Sequence, residues 1–370
     1  MTVQFLKKSV LAAASALAFS GAALAQAESA VLNIYNWSDY IALDTIANFE
    51  KETGIKVRYD TFDTNEILHA KLVAGKTGYD IVVPSSNWAK IQIDGGLLRK
   101  LDKAQLPNFK NLDTGLMANL SKLDPGNQHA VPWLWGYTTV GINVDKVKAA
   151  LGDLPMPDDV YELVFNPKYM SRMKSCGVSF LDSASEIIPT AMHYLGKQPY
   201  SKTIADYQAV APMLAQVRPY VGVFSSSGYI NDLATGAICV ALGWNGDINI
   251  AKQRAIEAKN GIKIEALLPK KGAVPFFDVM AIPADAAHPG NALKFINYIL
   301  RPEVHAAITN KVFYASPNAA AVKFVKPEVA NNPTVFLNDE NKRKLVSVDA
   351  VNNDIRRAIT RMFTAFKTGV

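Results

Sequence analysis

Strict alternation of apolar strands and single amphipathic helices is the strongest constraint on this chain's fold. "VLNIYNW" (31–37) precedes a helical stretch, "LDTIANFEKETG" (43–54). The strand "IKVRYDTF" (55–62), the helix "NEILHAKLVAG" (65–75) and the strand "YDIVVPSS" (79–86) follow. Such a grammar predicts a largely parallel sheet covered by helices on both sides, with ligands held beyond the carboxyl ends of the strands. Gly54 is placed to cap the first helix, and Asp63 with Glu66 forms a capping pair before the second.

The middle of the chain repeats the pattern without repeating the residues. "CGVSFLD" is a strand and "SASEIIPTAMHYLG" a helix, with Ser183 and Glu186 spaced as a capping box. "GAICVALGWNGD" reads as a strand running into a loop, in which Asp247 suits a turn. "PFFDVMAIPADA" is a further strand, and two helices follow it, "GNALKFINYILRP" and "EVHAAITNKVFY". No Ser/Gly tether interrupts the chain, so two lobes would be joined by ordered strands. "VPWLWGYTTVGIN" is the best first crossing and the stretch near "GAVPFFD" the best return. Trp133 and Trp135 have strand spacing and are expected inside. The basic helix "DIRRAITRMFTAFK" carries Ile355, Ile359, Met362, Phe363 and Phe366 on one face, suited to packing on its own domain.

The N-terminus sets the compartment. Lys7 and Lys8, an apolar run to Phe19 and Ala23-Leu24-Ala25 predict a signal peptide over residues 1–25, and therefore a periplasmic protein. Cleavage leaves about 345 residues, more than one compact core usually holds. It also lowers the formal charge from +6 to +4, mild and scattered, which argues against nucleic acid as a partner. Cys176 and Cys239, an even pair in an oxidising compartment, read as one disulfide, with a free buried pair as the alternative.

Catalytic and cofactor signatures are missing. "AGKT" (74–77) resembles the end of a phosphate loop, but Ala70 stands where the first glycine is needed, and the stretch closes a helix instead of opening one. His69, His129, His193, His288 and His305 show no metal-ligand spacing. "SRMK" (171–174) is a chance serine–lysine pattern, and neither a nucleophile elbow nor a dinucleotide fingerprint occurs. No metal or nucleotide cofactor is expected, and no enzymatic activity.

Recurrent instead are rings beside acids at strand ends: Trp37, Asp39 and Tyr40; Trp244 and Asp247; Phe276 and Asp278. "FLDSASE" adds Asp182 and Glu186, and "VFYASPN" adds Tyr314. Aromatic faces and carboxylates together attract cations, whereas an anion site would present arginines or a glycine-rich nest. Each residue also has a plainer role, Asp39 in an Asx turn and the rings in a core.

These segments, with "IYNWSDYIALDTIANFEKETGIKV", "YDIVVPSS", "LDKAQLPNFKNLD", "GINVDKVKAALG", "KSCGVSFLD" and "YINDLATGAICVALGWNGD", resemble the periplasmic polyamine-binding proteins of ABC importers, most closely the putrescine type. The resemblance covers essentially the whole mature sequence. It implies an α/β, two-lobed periplasmic binding protein fold of type II, each lobe a mixed, mainly parallel sheet flanked by helices, with a hinge of crossing strands. Residues 28–134 and 274–306 would form one lobe, and 135–273 and 307–370 the other. The implied pocket is Trp37, Ser38, Asp39, Tyr40, Ser85, Glu186, Ser226, Trp244, Asp247, Phe276, Asp278 and Tyr314. Asp247 and Asp278 would share one ammonium, while Asp39 and Glu186 would define the far end. The resemblance also implies a Cys176–Cys239 bridge, a monomer and an inner-membrane permease as partner. Asn87 and Trp88 depart from the serine and phenylalanine usual in the putrescine type. Ser183 and Val348 favour a diamine. Spermidine, cadaverine and agmatine are the alternative ligands, and a secreted carboxylate-dependent hydrolase is the alternative class.

Overall fold

The computed structural model describes residues 28–369; the expected signal peptide lies outside them. Nine strands form one continuous sheet: β1 (Val31–Trp37), β2 (Lys56–Phe62), β3 (Ile81–Val82), β4 (Ala130–Asn143), β5 (Val178–Phe180), β6 (Val223–Phe224), β7 (Val240–Trp244), β8 (Ile264–Ala266) and β9 (Pro275–Ala281). Their order is β2-β1-β3-β9-β4-β7-β5-β6, with β8 attached to β4. Parallel pairs occupy the two ends, where β1 pairs with β2 and β3 on one side and β5 with β6 and β7 on the other. Antiparallel β4 and β9 lie between them.

β4 makes the architecture. Over Ala130–Tyr137 it pairs with β9, and over Thr138–Asn143 it pairs with β7 and β8. Its 14 residues span about 45 Å and run from one lobe into the other. All but Trp135 are buried, the near-continuous apolar run of a strand covered on both faces. The register slips between Pro132 and Leu134, where proline supplies no N–H for the ladder. Both predicted crossings therefore fall on hinge strands. Trp133 is buried as expected, but Trp135 is half-buried and stacks on Phe277, with ring centroids 5.8 Å apart.

Local signals were kept or overruled for identifiable reasons. Gly54 closes the helix Leu43–Thr53 at φ 72°, donating its N–H to Glu50 O. Thr64, not the Asp63–Glu66 pair, caps the helix Asn65–Ala74 by accepting from Ile67 N, which frees both acids for other contacts. Ser183 precedes the helix Ala184–Tyr194 without a side-chain cap; its hydroxyl meets Ser185, and Glu186 turns elsewhere. The segment after β7 is not a loop: the helix Asn245–Glu257 starts directly after Trp244 and holds Asp247 in its first turn. The last helix, Asn353–Thr368, buries Ile355, Ile359, Phe363 and Phe366 against the body, with Met362 half-buried. Cys176 and Cys239 are bridged, Cα atoms 5.4 Å apart, tying together the approaches to neighbouring β5 and β7. No helix among the described residues is long and apolar enough to cross a membrane.

Candidate functional site

Strand ends from both lobes converge on one narrow cavity. β1 delivers Trp37, whose indole Nε1 donates to Val83 O at 2.8 Å and whose ring packs 4.5 Å from Phe62 at the end of β2. The chain turns at Asp39 (φ 52°) and brings back Tyr40. β7 delivers Trp244 from the other lobe, while β9, beside β3 and β4 in the middle of the sheet, contributes Phe276 and Asp278.

The rings form an unbroken edge-to-face series. Trp37 meets Trp244 at 5.6 Å, Trp244 meets Phe276 at 6.3 Å, Phe276 meets Tyr314 at 5.9 Å, and Tyr314 meets Tyr40 at 4.8 Å. Each contact is a favourable quadrupole arrangement, and all five rings line the cavity.

Three carboxyl groups sit among these rings. Asp278 accepts from Tyr40 Oη at 2.9 Å and Ser85 Oγ at 2.7 Å. Ser85 is itself held by Asn65, which donates to its hydroxyl and accepts from its N–H, both at 2.9 Å. Asp247 accepts from Tyr314 Oη at 2.6 Å and Tyr229 Oη at 2.9 Å. Glu186 accepts from Thr138 Oγ1 at 2.8 Å. All three acids are buried, and these partners are hydroxyls, not cations. Burial consequently pushes each of the three pKa values up to about 7, against the lowering effect of the hydroxyl donors. A buried acid without a countercharge is costly, and an entering cation relieves that cost.

Of the twelve residues expected to form the pocket, eleven line the cavity: Trp37, Ser38, Tyr40, Ser85, Glu186, Ser226, Trp244, Asp247, Phe276, Asp278 and Tyr314. Asp39 does not. Its half-exposed carboxylate faces outward and pairs with Arg254 at 2.6 Å. Asp182, another acid of the sequence pattern, pairs with Lys367 at 2.5 Å. Phe62, Asp63, Ser227 and Ile230 line the cavity without having been anticipated. Phe62 and Asp63 carried the same ring-beside-acid signal at the end of β2. Nothing in the sequence marked Ser227 or Ile230, nor the supporting hydroxyls of Thr138 and Tyr229.

A cleft between two α/β lobes, joined by crossing strands and closed over one small cavity, defines a solute-binding protein of the type II periplasmic class. The bacterial extracellular solute-binding protein family matches residues 44–336, and the chain belongs to it. It is 49% identical to the putrescine-binding periplasmic protein SpuD of Pseudomonas aeruginosa, over 95% of this chain and 96% of that one. It is also 49% identical to the putrescine-binding periplasmic protein PotF of Escherichia coli, over 97% of each. A putative spermidine/putrescine ABC transporter structure from Listeria monocytogenes superposes with a TM-score of 0.81 at 32% identity, covering 92% of this chain and 99% of that one.

Proposed function

We propose that this protein captures putrescine in the periplasm, after removal of residues 1–25, and delivers it to the permease of an ABC importer. The observation that carries this reading is the set of three buried carboxyl groups whose hydrogen-bond partners are hydroxyls, inside a continuous series of aromatic rings. A short diammonium chain matches both parts. Its charges answer Asp247, Asp278 and Glu186, and its methylenes lie along the rings.

Magnitudes agree with that assignment. Burying four methylenes contributes roughly 3 kcal/mol. Each charge-assisted hydrogen bond adds about 1.5–3 kcal/mol. Desolvation and lost freedom reduce the sum to micromolar affinity, about −8 kcal/mol.

In this reading Asp247 and Asp278 share one ammonium, and their tyrosine donors Tyr314 and Tyr40 touch edge to face at 4.8 Å. Glu186 receives the other, with Ser38, Ser85 and Ser226 orienting acids or waters. The protein works as a monomer, with 28–134 and 274–306 moving as one lobe and 135–273 and 307–370 as the other. It binds without turnover. Titration calorimetry with putrescine, followed by analysis of the recovered ligand, tests both points. Millimolar or weaker affinity, or a chemically altered ligand, overturns the proposal.

A further inference from the structure

Three of the side chains that line the cavity reach water: Ser38 and Ser227 are half-buried and Asp63 is exposed, whereas the others are buried. Ser38 and Asp63 follow the ends of β1 and β2, and Ser227 stands just before the helix Tyr229–Thr235. The cavity therefore opens to solvent between these segments. Of the three residues at its mouth, only Asp63 is charged.

Asp63 is also the acid of this region that no cation answers. Asp39, after β1, pairs with Arg254 at 2.6 Å, and Asp60, on β2, pairs with Arg58 at 2.8 Å. Asp63 Oδ1 accepts from Ser38 Oγ at 3.2 Å, and no lysine, arginine or histidine pairs with it among the described residues. The ring of Phe62, the residue before it, packs 4.5 Å from Trp37, which in turn meets Trp244. Aromatic surface thus leads inward from Asp63 towards the three buried acids.

A hydrated carboxylate at the mouth acts differently from the buried ones. Once an ammonium group lies beside Asp247, Asp278 or Glu186, water around Asp63 screens the attraction between the two. On approach, by contrast, Asp63 is the first unpaired acid that a dication meets, on a chain that otherwise repels it. The formal charge is +6, and +4 without Lys7 and Lys8. We propose that Asp63 is the capture acid of this protein: it draws one ammonium group of a diamine to the mouth of the open cleft and passes it along Phe62 and Trp37 to the buried acids as the lobes close. The proposal rests on the polyamine reading above. It makes Asp63 a determinant of the association rate, not of how long the ligand stays.

Stopped-flow mixing of the mature protein with putrescine, followed by tryptophan fluorescence, tests it on wild type, Asp63→Asn and Asp63→Glu. The runs are made at about 0.01 M and about 1 M ionic strength, where the Debye length is about 30 Å and about 3 Å. Asparagine keeps an acceptor for Ser38 and removes only the charge. At low salt its association rate is expected to fall about three- to tenfold, while Asp63→Glu stays within about twofold of wild type. At high salt all three should agree within about twofold, and their dissociation rates should agree at both salts. An association rate that asparagine leaves unchanged, or lowers equally at both salts, overturns the proposal, as does failure of glutamate to restore it. Faster dissociation with unchanged association also overturns it, and makes Asp63 a contact of the bound ligand instead. A wild type that does not bind putrescine overturns the polyamine reading as well, so the two failures are distinct.

Discussion

Arg254 donates a 2.6 Å hydrogen bond to Asp39 across 215 residues of chain, from a helix of one lobe to the first loop of the other. The pair sits outside the cavity, with side chains 32% and 39% exposed, and is made only when the lobes are together. The pair joins the two lobes in this closed arrangement, and Asp39 is not among the residues that line the cavity. Exposed pairs of this kind contribute about 0–1 kcal/mol. Arg254→Ala is therefore expected to weaken putrescine binding only a few-fold, mainly by faster release, and added salt should shrink the difference between variant and wild type. Stopped-flow dissociation at two ionic strengths measures this. A loss of a hundredfold would mean that Asp39 touches the ligand after all.

The acids of the cavity carry far more. Asp278→Asn keeps the shape and an acceptor for Tyr40 or Ser85 but removes the charge that faces the ligand. Putrescine affinity is expected to drop about ten- to a hundredfold. The ligand-free protein should be no less stable than wild type, since a buried uncompensated charge has been removed. Calorimetry and thermal unfolding of the same sample read both outcomes.

Two pH windows follow from the same carboxyls. In the closed, empty cavity burial raises Asp247, Asp278 and Glu186 to about 7, whereas hydrated carboxyls of an open cleft titrate near 4. Between those values the closed form binds protons that the open form has released. Empty closure is thus favoured at low pH and lost as pH rises through about 7. Small-angle scattering of the ligand-free protein should show a smaller radius of gyration at pH 5 than at pH 8, and putrescine at pH 8 should restore the smaller value. Affinity itself should decline as pH falls through the ordinary carboxylate range, because protons then compete with the ligand in the open cleft.

The disulfide makes a separate contribution. Cys176 and Cys239 are 63 residues apart, and in the chain-entropy model a loop of that length is worth about 4 kcal/mol. Cys239→Ala with Cys176→Ala should lower the melting temperature markedly and leave putrescine affinity unchanged, since neither residue lines the cavity. Differential scanning calorimetry paired with titration separates the two effects.

Much of this arrangement was legible in the sequence because it depends on periodicity and on strand ends. The β-α alternation located the parallel edges of the sheet, and the apolar run of β4 located the hinge. Rings beside acids marked eight of the cavity's side chains, and the family resemblance added Ser38, Ser85 and Ser226. What escaped was decided by tertiary contact. Asp39 carries the same ring-beside-acid signal as Asp278, but it sits in a turn at φ 52° instead of on a strand and pairs with Arg254 on a distant helix. Thr64 displaced the Asp63–Glu66 cap through backbone direction at one residue, which released Asp63 to the cavity. Tyr229 and Thr138 act through hydroxyls at the far end of long-range contacts, which no local pattern records.

Gly246 gives the sharpest test of how closely the cavity is built. A Cβ there would lie 2.3 Å from the Tyr314 ring, so the helix Asn245–Glu257 can approach Tyr314 only through glycine. Tyr314 is in turn fixed by its bond to Asp247 at 2.6 Å and by its contact with Tyr40. Gly246→Ala must displace the ring, which costs about 1–3 kcal/mol of stability by overpacking and breaks the Asp247 contact. Putrescine affinity is expected to fall about tenfold with it. Removing the obstacle identifies the cause. In a Tyr314→Ala background the added methyl group meets empty space, so Gly246→Ala should then cost little further stability, a strongly non-additive pair. Chemical denaturation of the two single variants and the double variant measures that coupling. Additive losses would show that Gly246 serves the helix backbone and not the seating of Tyr314.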